Sequence, residues 1–340
     1  MATPLIHQTD LFRPHNDPDD HFDLAVVYAL ALQGKIDLRG IVIDRPPPKF
    51  DGDPDVAAIA QLNHITGLTV PAVVGSSQPM KSPNDTQPSA SPSDKAAVRF
   101  VLDTLRQSRQ RVAITAVGSC RDIALAGKTD PALFARKCAG IYINAGTGSP
   151  DPRLAATLEY NVTLDPAAYR ALFELPCPIY WLPCFEDYEG EWRVKRHGTY
   201  WRFRQEEVLP ALSPRMQNFF LYMFERLRET DWLRYLYRQP DASLIHRYSQ
   251  QERNMWSVAN FLHVAGVTVT VDGEVVPLKA AGGSAVYTFQ PVRISCNENA
   301  VTTWQPDPRS TNRYMFMVRN VERYQEAMTK ALRTLLTTLP

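Results

Sequence analysis

What most limits the folds open to this chain is the alternation of short β-like runs with helix-like runs across its first half. Pro4–Leu11 reads as a strand. A helix follows from Asp20 or His21 to Leu32, with Leu24, Val27 and Ala31 on one face. Leu38–Asp44 reads as a second strand, Arg45–Lys49 as a proline-rich loop, Pro54–Thr66 as a helix and Thr69–Gly75 as a third strand. The pattern resumes with a helix at Lys95–Leu105, a strand at Arg111–Val117 and a helix opening at Asp122–Ala126. Strands at Ala139–Asn144 and Pro178–Leu182 then flank a helix at Pro166–Phe173. Parallel strands need crossovers of helical length, so the repetition predicts an α/β fold. The expected form is an open, mostly parallel sheet with helices on both faces and right-handed crossovers. Ser76–Ser93, rich in Ser, Pro, Asn and Asp, interrupts the pattern as a lid or a disordered insert.

The second half is less regular. Arg193–Glu207 is basic and aromatic, Met216–Tyr237 reads as one amphipathic helix and Asn254–Val264 as another. Val267–Val276, Ala285–Phe289 and Val292–Ser295 read as short strands or hairpin arms. Met315–Val318 reads as a last strand and Val321–Leu336 as a terminal helix. No shift of composition divides the halves. The reading is one domain, 1–340, with residues 185–250 as a variable, mostly helical cap and the later hairpins beside it.

Acidic residues cluster where the first strand hands over to the first helix: Asp10, Asp17, Asp19 and Asp20. In open α/β sheets ligands gather at the carboxyl ends of strands, and carboxylates crowded there repel one another unless a cation, a proton or solvent offsets them. Oxygen donors of this kind suit a hard ion, calcium or magnesium. The alternative is Asp chemistry of turns and helix starts. The spacing lacks the Gly and closing Glu of a calcium-binding helix-loop-helix loop. His15 and His21 read as exposed loop residues, and Asp23 belongs with first-turn helix chemistry.

Further segments extend this. Thr9-Asp10 and Asp19-Asp20 are followed by Val117-Gly118-Ser119-Cys120-Arg121-Asp122-Ile123-Ala124, and by Glu159-Tyr160-Asn161 before Asp165-Pro166-Ala167-Ala168. In this order the chain resembles the inosine-uridine preferring nucleoside hydrolase family, particularly its divergent members with a DPDD loop. The resemblance implies calcium-dependent cleavage of an N-glycosidic bond in a nucleoside or related ribosyl compound. It implies Asp10 as metal ligand and general base, Asp20 as second carboxylate ligand and Arg121 as a main-chain carbonyl ligand. Asp19, Glu159 and Asn161 would hold sugar hydroxyls, with Asn144 at the neighbouring strand end. It also implies a homodimer or homotetramer.

The sequence departs from the family in three places. The family's late His-Asp pair, a leaving-group acid and a calcium carboxylate, is missing from Gln251–Ala259. Arg253 is expected at the first position, stabilising the leaving group, and Asn254 at the second, as an amide ligand. Ala145-Gly146 follows Asn144 in place of a double glycine, with Arg153 near a missing Asn, where it would suit a phosphorylated substrate. Asp44-Arg45-Pro46-Pro47 replaces a Gly-Asn loop. The alternative is a non-catalytic or repurposed ribosyl- or sugar-phosphate-binding protein that keeps the pocket; a third reading is a structural protein without metal.

Trp181, Tyr188, Trp192, Trp201 and Trp256 are the aromatic candidates for stacking a base, Trp256 foremost, and His197 and His246 are candidates for the missing acid. A net charge of +1 predicts no nucleic-acid partner, and the mix of Trp and Arg from Trp192 to Arg204 reads as a lid or a protein interface. The apolar runs are too short to span a bilayer and Met1–Asp10 does not read as a signal peptide, so a cytoplasmic protein is expected. The five cysteines, none in a CxxC pair, read as buried apolar side chains.

Overall fold

The computed structural model describes residues 2–14, 18–48 and 52–340, so His15, Asp17 and Lys49 lie outside the described residues. Among these, nine strands form the central sheet: β1 (Thr3–Thr9), β2 (Ile36–Ile43), β3 (Ala72–Val74), β4 (Val112–Val117), β5 (Cys138–Asn144), β6 (Ile179–Leu182), β7 (Tyr287–Cys296), β8 (Thr302–Pro306) and β9 (Arg313–Val318). Their spatial order is β8-β7-β9-β6-β5-β4-β1-β2-β3. From β3 to β9 every neighbouring pair is parallel, while β7 pairs antiparallel with both β9 and β8. The sheet is therefore mixed and mostly parallel.

Alternating side chains feed two cores, one on each face. Leu5, Ile41 and Ile43 join one, and Ile6, Val42 and Ile114 the other. The first helix, α1 (Asp19–Leu32), is buried from Asp20 to Leu30 between the sheet and the terminal helix Val321–Leu336. A helix apolar on nearly every side belongs inside, and this one does. Strand order reverses beside β1, with β2 and β3 on one side and β4, β5 and β6 on the other. Loops leaving the carboxyl ends of β1 and β4 part in opposite directions there and open a crevice.

Several expected elements differ. Met216–Tyr237 is not one helix: Pro214–Phe224 ends near Arg226, which sits at φ 51°, and a short helix resumes at Trp232–Tyr235. Asn254–Val264 is a strand end followed by a helix. Glu252–Met255 pairs antiparallel with Trp201–Arg204, and the helix starts only at Val258. Strand pairing between distant segments leaves no trace in local periodicity. The two short runs around Pro291 are one strand, β7. Pro291 lacks an N–H and reads as a break, yet it pairs with Tyr314.

Ser76–Ser93 is tied down by buried polar groups. Arg121 Nη1 donates to Ser76 O at 2.9 Å, Ser76 N donates to Asp122 Oδ1 at 3.0 Å, and Met80 N donates to Asp165 Oδ2 at 2.9 Å. His21, expected in solvent, is buried, with Nε2 3.2 Å from Asp55 Oδ2. Cys120, Cys138, Cys177 and Cys184 are buried free thiols and Cys296 is half-buried. Among the described residues no helix is long and apolar enough to cross a membrane.

Candidate active site

Each wall of the crevice comes from a strand end or the loop beyond it. The chain delivers Asp10 just past β1, Asp19 and Asp20 in the first turn of α1, Val117 at the end of β4 and Asn144 at the end of β5. Glu159, Tyr160 and Asn161 follow, then Cys184, Phe185, Tyr188 and Trp192 beyond β6, with Trp256 and Ser257 from the late segment. Together with Phe12 these residues line one cavity of about 380 Å³, in the size range of small-molecule sites.

The acidic floor is held, not splayed. Asp10 is only 7% exposed and Asp20 4%. Thr9 Oγ1 donates to Asp20 Oδ1 at 3.0 Å. The cap of α1 is Pro18, with no side-chain cap hydrogen bond, and Asp19 and Asp20 stand in the first turn behind it. Gly118 makes the approach possible: its φ is 108°, and a Cβ there would lie 2.8 Å from Asp44 Oδ2 and 3.0 Å from Asp10 Cβ. Asp44 is buried behind this floor. It accepts from Gln8 Nε2 and from Ser119 N, both at 2.6 Å, and burial pushes its carboxyl above the usual range.

Glu159 is pinned through both oxygens, Oε2 by Gly146 N at 2.9 Å and Oε1 by Asn161 N at 2.8 Å. Burial still pushes its carboxyl up to about 7, against the pull of those main-chain donors. Asn161 Nδ2 donates to Asn144 O at 3.0 Å. Asn144 is fixed in turn, donating through Nδ2 to Leu182 O at 2.8 Å and accepting from Ser257 Oγ at 2.6 Å. The Tyr160 phenol is pushed up by burial and then by the charges of Asp10 and Asp20, which marks the field in the cavity as negative. The same cavity is lined by aromatic rings. Phe185 lies 4.8 Å from Trp192 and 5.8 Å from Trp256, ring centre to ring centre, and stacks on Tyr200 at 5.3 Å.

The structure thus brings together Asp10, Asp19, Asp20, Asn144, Glu159, Asn161 and Trp256 and leaves four expected residues out. Arg153 carries an 89% exposed side chain paired with Asp151 at 2.6 Å, so it does not reach the cavity as a phosphate site would require. Arg121 opens a helix outside the lining, and its guanidinium turns to Asp165 Oδ2 at 2.8 Å; Val117 borders the cavity at that strand end. Arg253 lies 5.7 Å from the Phe224 ring, and Asn254 Oδ1 accepts from the Tyr200 hydroxyl at 3.0 Å. Both are committed to the ladder with Trp201–Arg204, and the late segment meets the cavity three residues further on, at Trp256 and Ser257. Of the other candidates, Trp181 and Trp201 are fully buried core, while Tyr188 and Trp192 line the cavity. His197 pairs with Glu186 at 2.9 Å, and neither it nor His246 reaches the lining. Sequence reasoning missed Phe12, Val117, Tyr160, Cys184, Phe185 and Ser257 as lining residues. Position just beyond a parallel strand was the available signal for Phe185 and Cys184.

An oxygen-ligated cation meets a partial seat here. The buried carboxylates of Asp10 and Asp20 are hard anionic donors and fit calcium by type. The late segment offers the cavity the Ser257 hydroxyl, already turned to Asn144, where the family resemblance implies a carboxylate. Among the described residues no three His, Cys, Asp or Glu side chains are grouped as metal ligands.

A sequence model described as inosine-uridine preferring nucleoside hydrolase matches residues 15–274. No curated protein matches the chain by sequence. Three solved structures resemble it at a TM-score of 0.55. The effector protein XOO4466 is 15% identical over 99% of this chain and 94% of its own. The plant nucleoside hydrolase PpNRh1 is 16% identical over 99% of each. The purine-preferring ribonucleoside hydrolase from Gardnerella vaginalis is 15% identical over 99% of this chain and 100% of its own. At these identities the structural likeness speaks for the fold alone.

Proposed function

Since this chain belongs to the inosine-uridine preferring nucleoside hydrolase family, we propose that its cavity binds a ribosyl compound and hydrolyses the bond from ribose to an N-linked base. The observation that carries this reading is that Asp10, Asp19, Asp20, Glu159 and Asn161 line one cavity together with Phe185, Tyr188, Trp192 and Trp256. Carboxylates and amides of this kind hold a sugar diol, and flat aromatic walls hold a base. Departure of the base builds positive charge on the ribose, and the buried carboxylates stabilise it. Asp10 accepts the proton of the attacking water. Asn161 and Glu159, locked to the main chain, orient the hydroxyls without a conformational search.

Calcium dependence is a separate part of the proposal. Asp10 and Asp20 are the side chains that would hold the ion, and the ion would polarise the water and the sugar hydroxyls. The DPDD-loop kinship and a homodimer or homotetramer belong to the same reading, the latter checked by sedimentation.

The experiment is release of free base and reducing sugar from a panel of ribosides, with and without a chelator. Asp10→Asn should lower kcat by about 100- to 10,000-fold with folding intact; unchanged turnover would remove Asp10 as the base. Chelation should slow cleavage, and equal rates with and without calcium would strike out the cation. A second reading, binding without turnover, is favoured by Trp256 and Ser257 standing in the cavity where an acid and a carboxylate are implied. Calorimetric binding of ribosides with no base released would select it.

A further inference from the structure

Just beyond β6 the chain runs out and back from Phe185 to Tyr200 as a strap that carries Tyr188 and Trp192 into the cavity lining. Its base is closed by the main chain: Thr199 N donates to Pro183 O at 2.8 Å and Tyr200 N to Cys184 O at 3.1 Å. Gly198 lets the two stems meet there, since a Cβ on it would lie 2.7 Å from Glu186 N and 2.8 Å from Phe185 C. The tip has less to hold it. Glu189, Gly190, Glu191 and Arg193 are exposed, and Trp192 itself is 43% exposed. Its ring lies 4.8 Å from that of Phe185 and 6.3 Å from that of Trp256, centre to centre. Such contacts are individually small beside the entropy of ordering an exposed loop.

A cross-brace makes up the difference. Lys195 Nζ on the returning stem lies 2.5 Å from Asp187 Oδ1 on the outgoing one and donates to Glu189 O at 3.3 Å. Asp187 Oδ1 also accepts from Glu189 N at 2.9 Å. The Lys195 and Asp187 side chains are 17% and 8% exposed, so water screens this pair less than an ion pair at the surface. Tyr188 and Trp192 both lie inside the short loop that the pair closes, and a short closed loop has few conformations to lose.

We propose that Lys195 and Asp187 are positioning residues: their ion pair clasps the strap and holds Trp192 on the cavity wall, where it sets the affinity for the ligand. The ligand part rests on the ribosyl reading; the placing of Trp192 does not. Neither side chain is among the described residues lining the cavity, and each acts through Trp192. A clasp of this kind bears on how well a ligand is seated, equally before and during reaction, so its loss raises KM and leaves kcat.

The test uses the full chain, with Trp192→Phe as the reference that isolates the emission of Trp192. In Lys195→Met and in Asp187→Asn that emission should shift to the red and be quenched more readily by acrylamide. Asp187→Asn keeps an acceptor for Glu189 N and carries the test if Lys195→Met does not fold. With inosine and uridine as probes, KM should rise about 3- to 10-fold in both variants, with kcat kept. In a Trp192→Ala protein, Lys195→Met should raise KM no further. Unchanged Trp192 emission in both variants overturns the clasp and leaves the ribosyl reading standing. A further rise of KM in the Trp192→Ala protein overturns it too, since the pair would then act elsewhere. Shifted emission with unchanged KM, or a fall in kcat alone, overturns the positioning role. Failure of both probes to bind removes the ligand part together with the ribosyl reading, and the emission still decides the clasp.

Discussion

His263 shows how one half-buried side chain ties stability to pH. Its Nδ1 lies 2.9 Å from the Tyr142 hydroxyl and its ring 4.3 Å from that of Phe289, and burial pulls its pKa down to about 4. The folded state therefore resists protonation that the unfolded chain accepts near 6.5. The contribution is whole above pH 6.5 and is lost as pH falls toward 4. Between pH 7 and pH 5 the natural protein should lose about 2 kcal/mol more than His263→Gln, read from urea midpoints; parallel profiles would show that the ring is not the source. His7, buried and pulled down to about 3, acts in the same direction. At this scale the acidic loop was legible, because crowded like charges at a strand end are unusual whatever surrounds them. Arg253 and Asn254 were not, because their place depends on a partner strand some fifty residues away in sequence.

Among the elements, the long Ser76–Ser93 connection depends most on a single residue. Arg121 is held by Asp165, Ser76 and Leu164 through its three guanidinium nitrogens, so it joins that connection to the helix at Pro166–Phe173. Arg121→Ala leaves the buried Asp165 carboxylate with main-chain donors but no counter-charge and should cost about 3–5 kcal/mol. It should also expose cleavage sites between residues 76 and 94 in limited proteolysis. A variant as resistant as the natural protein would show that the loop is held by its own turns. The parallel sheet was legible from strand and helix alternation. The hairpin edge was less so, since Pro291 hid the length of β7, and β8 carries too few apolar residues to announce a strand. Met216–Tyr237 kept a helical period through a real break because Arg226 enters the left-handed region without a glycine to signal it.

For the whole molecule, the cap shares its core with the sheet. Phe22 of α1 stacks on Phe220 at 4.2 Å, and Met216, Phe219 and Leu236 belong to the same cluster as Leu5 and Ile41. We take residues 1–340 as one domain capped by 185–250, and one cooperative transition should follow. Far-ultraviolet dichroism and tryptophan emission should report the same midpoint; emission changing first would mean that the cap melts by itself. The ladder between Trp201–Arg204 and Glu252–Met255 fastens the cap to the segment that follows it, immediately before Trp256. The aperture above the acidic floor is therefore gauged by four rungs, whatever the tether between them. Residues added between 205 and 251 would ride outside the gate. One added within 252–255, just ahead of Trp256, would turn the following side chains over and refit the doorway for a different visitor.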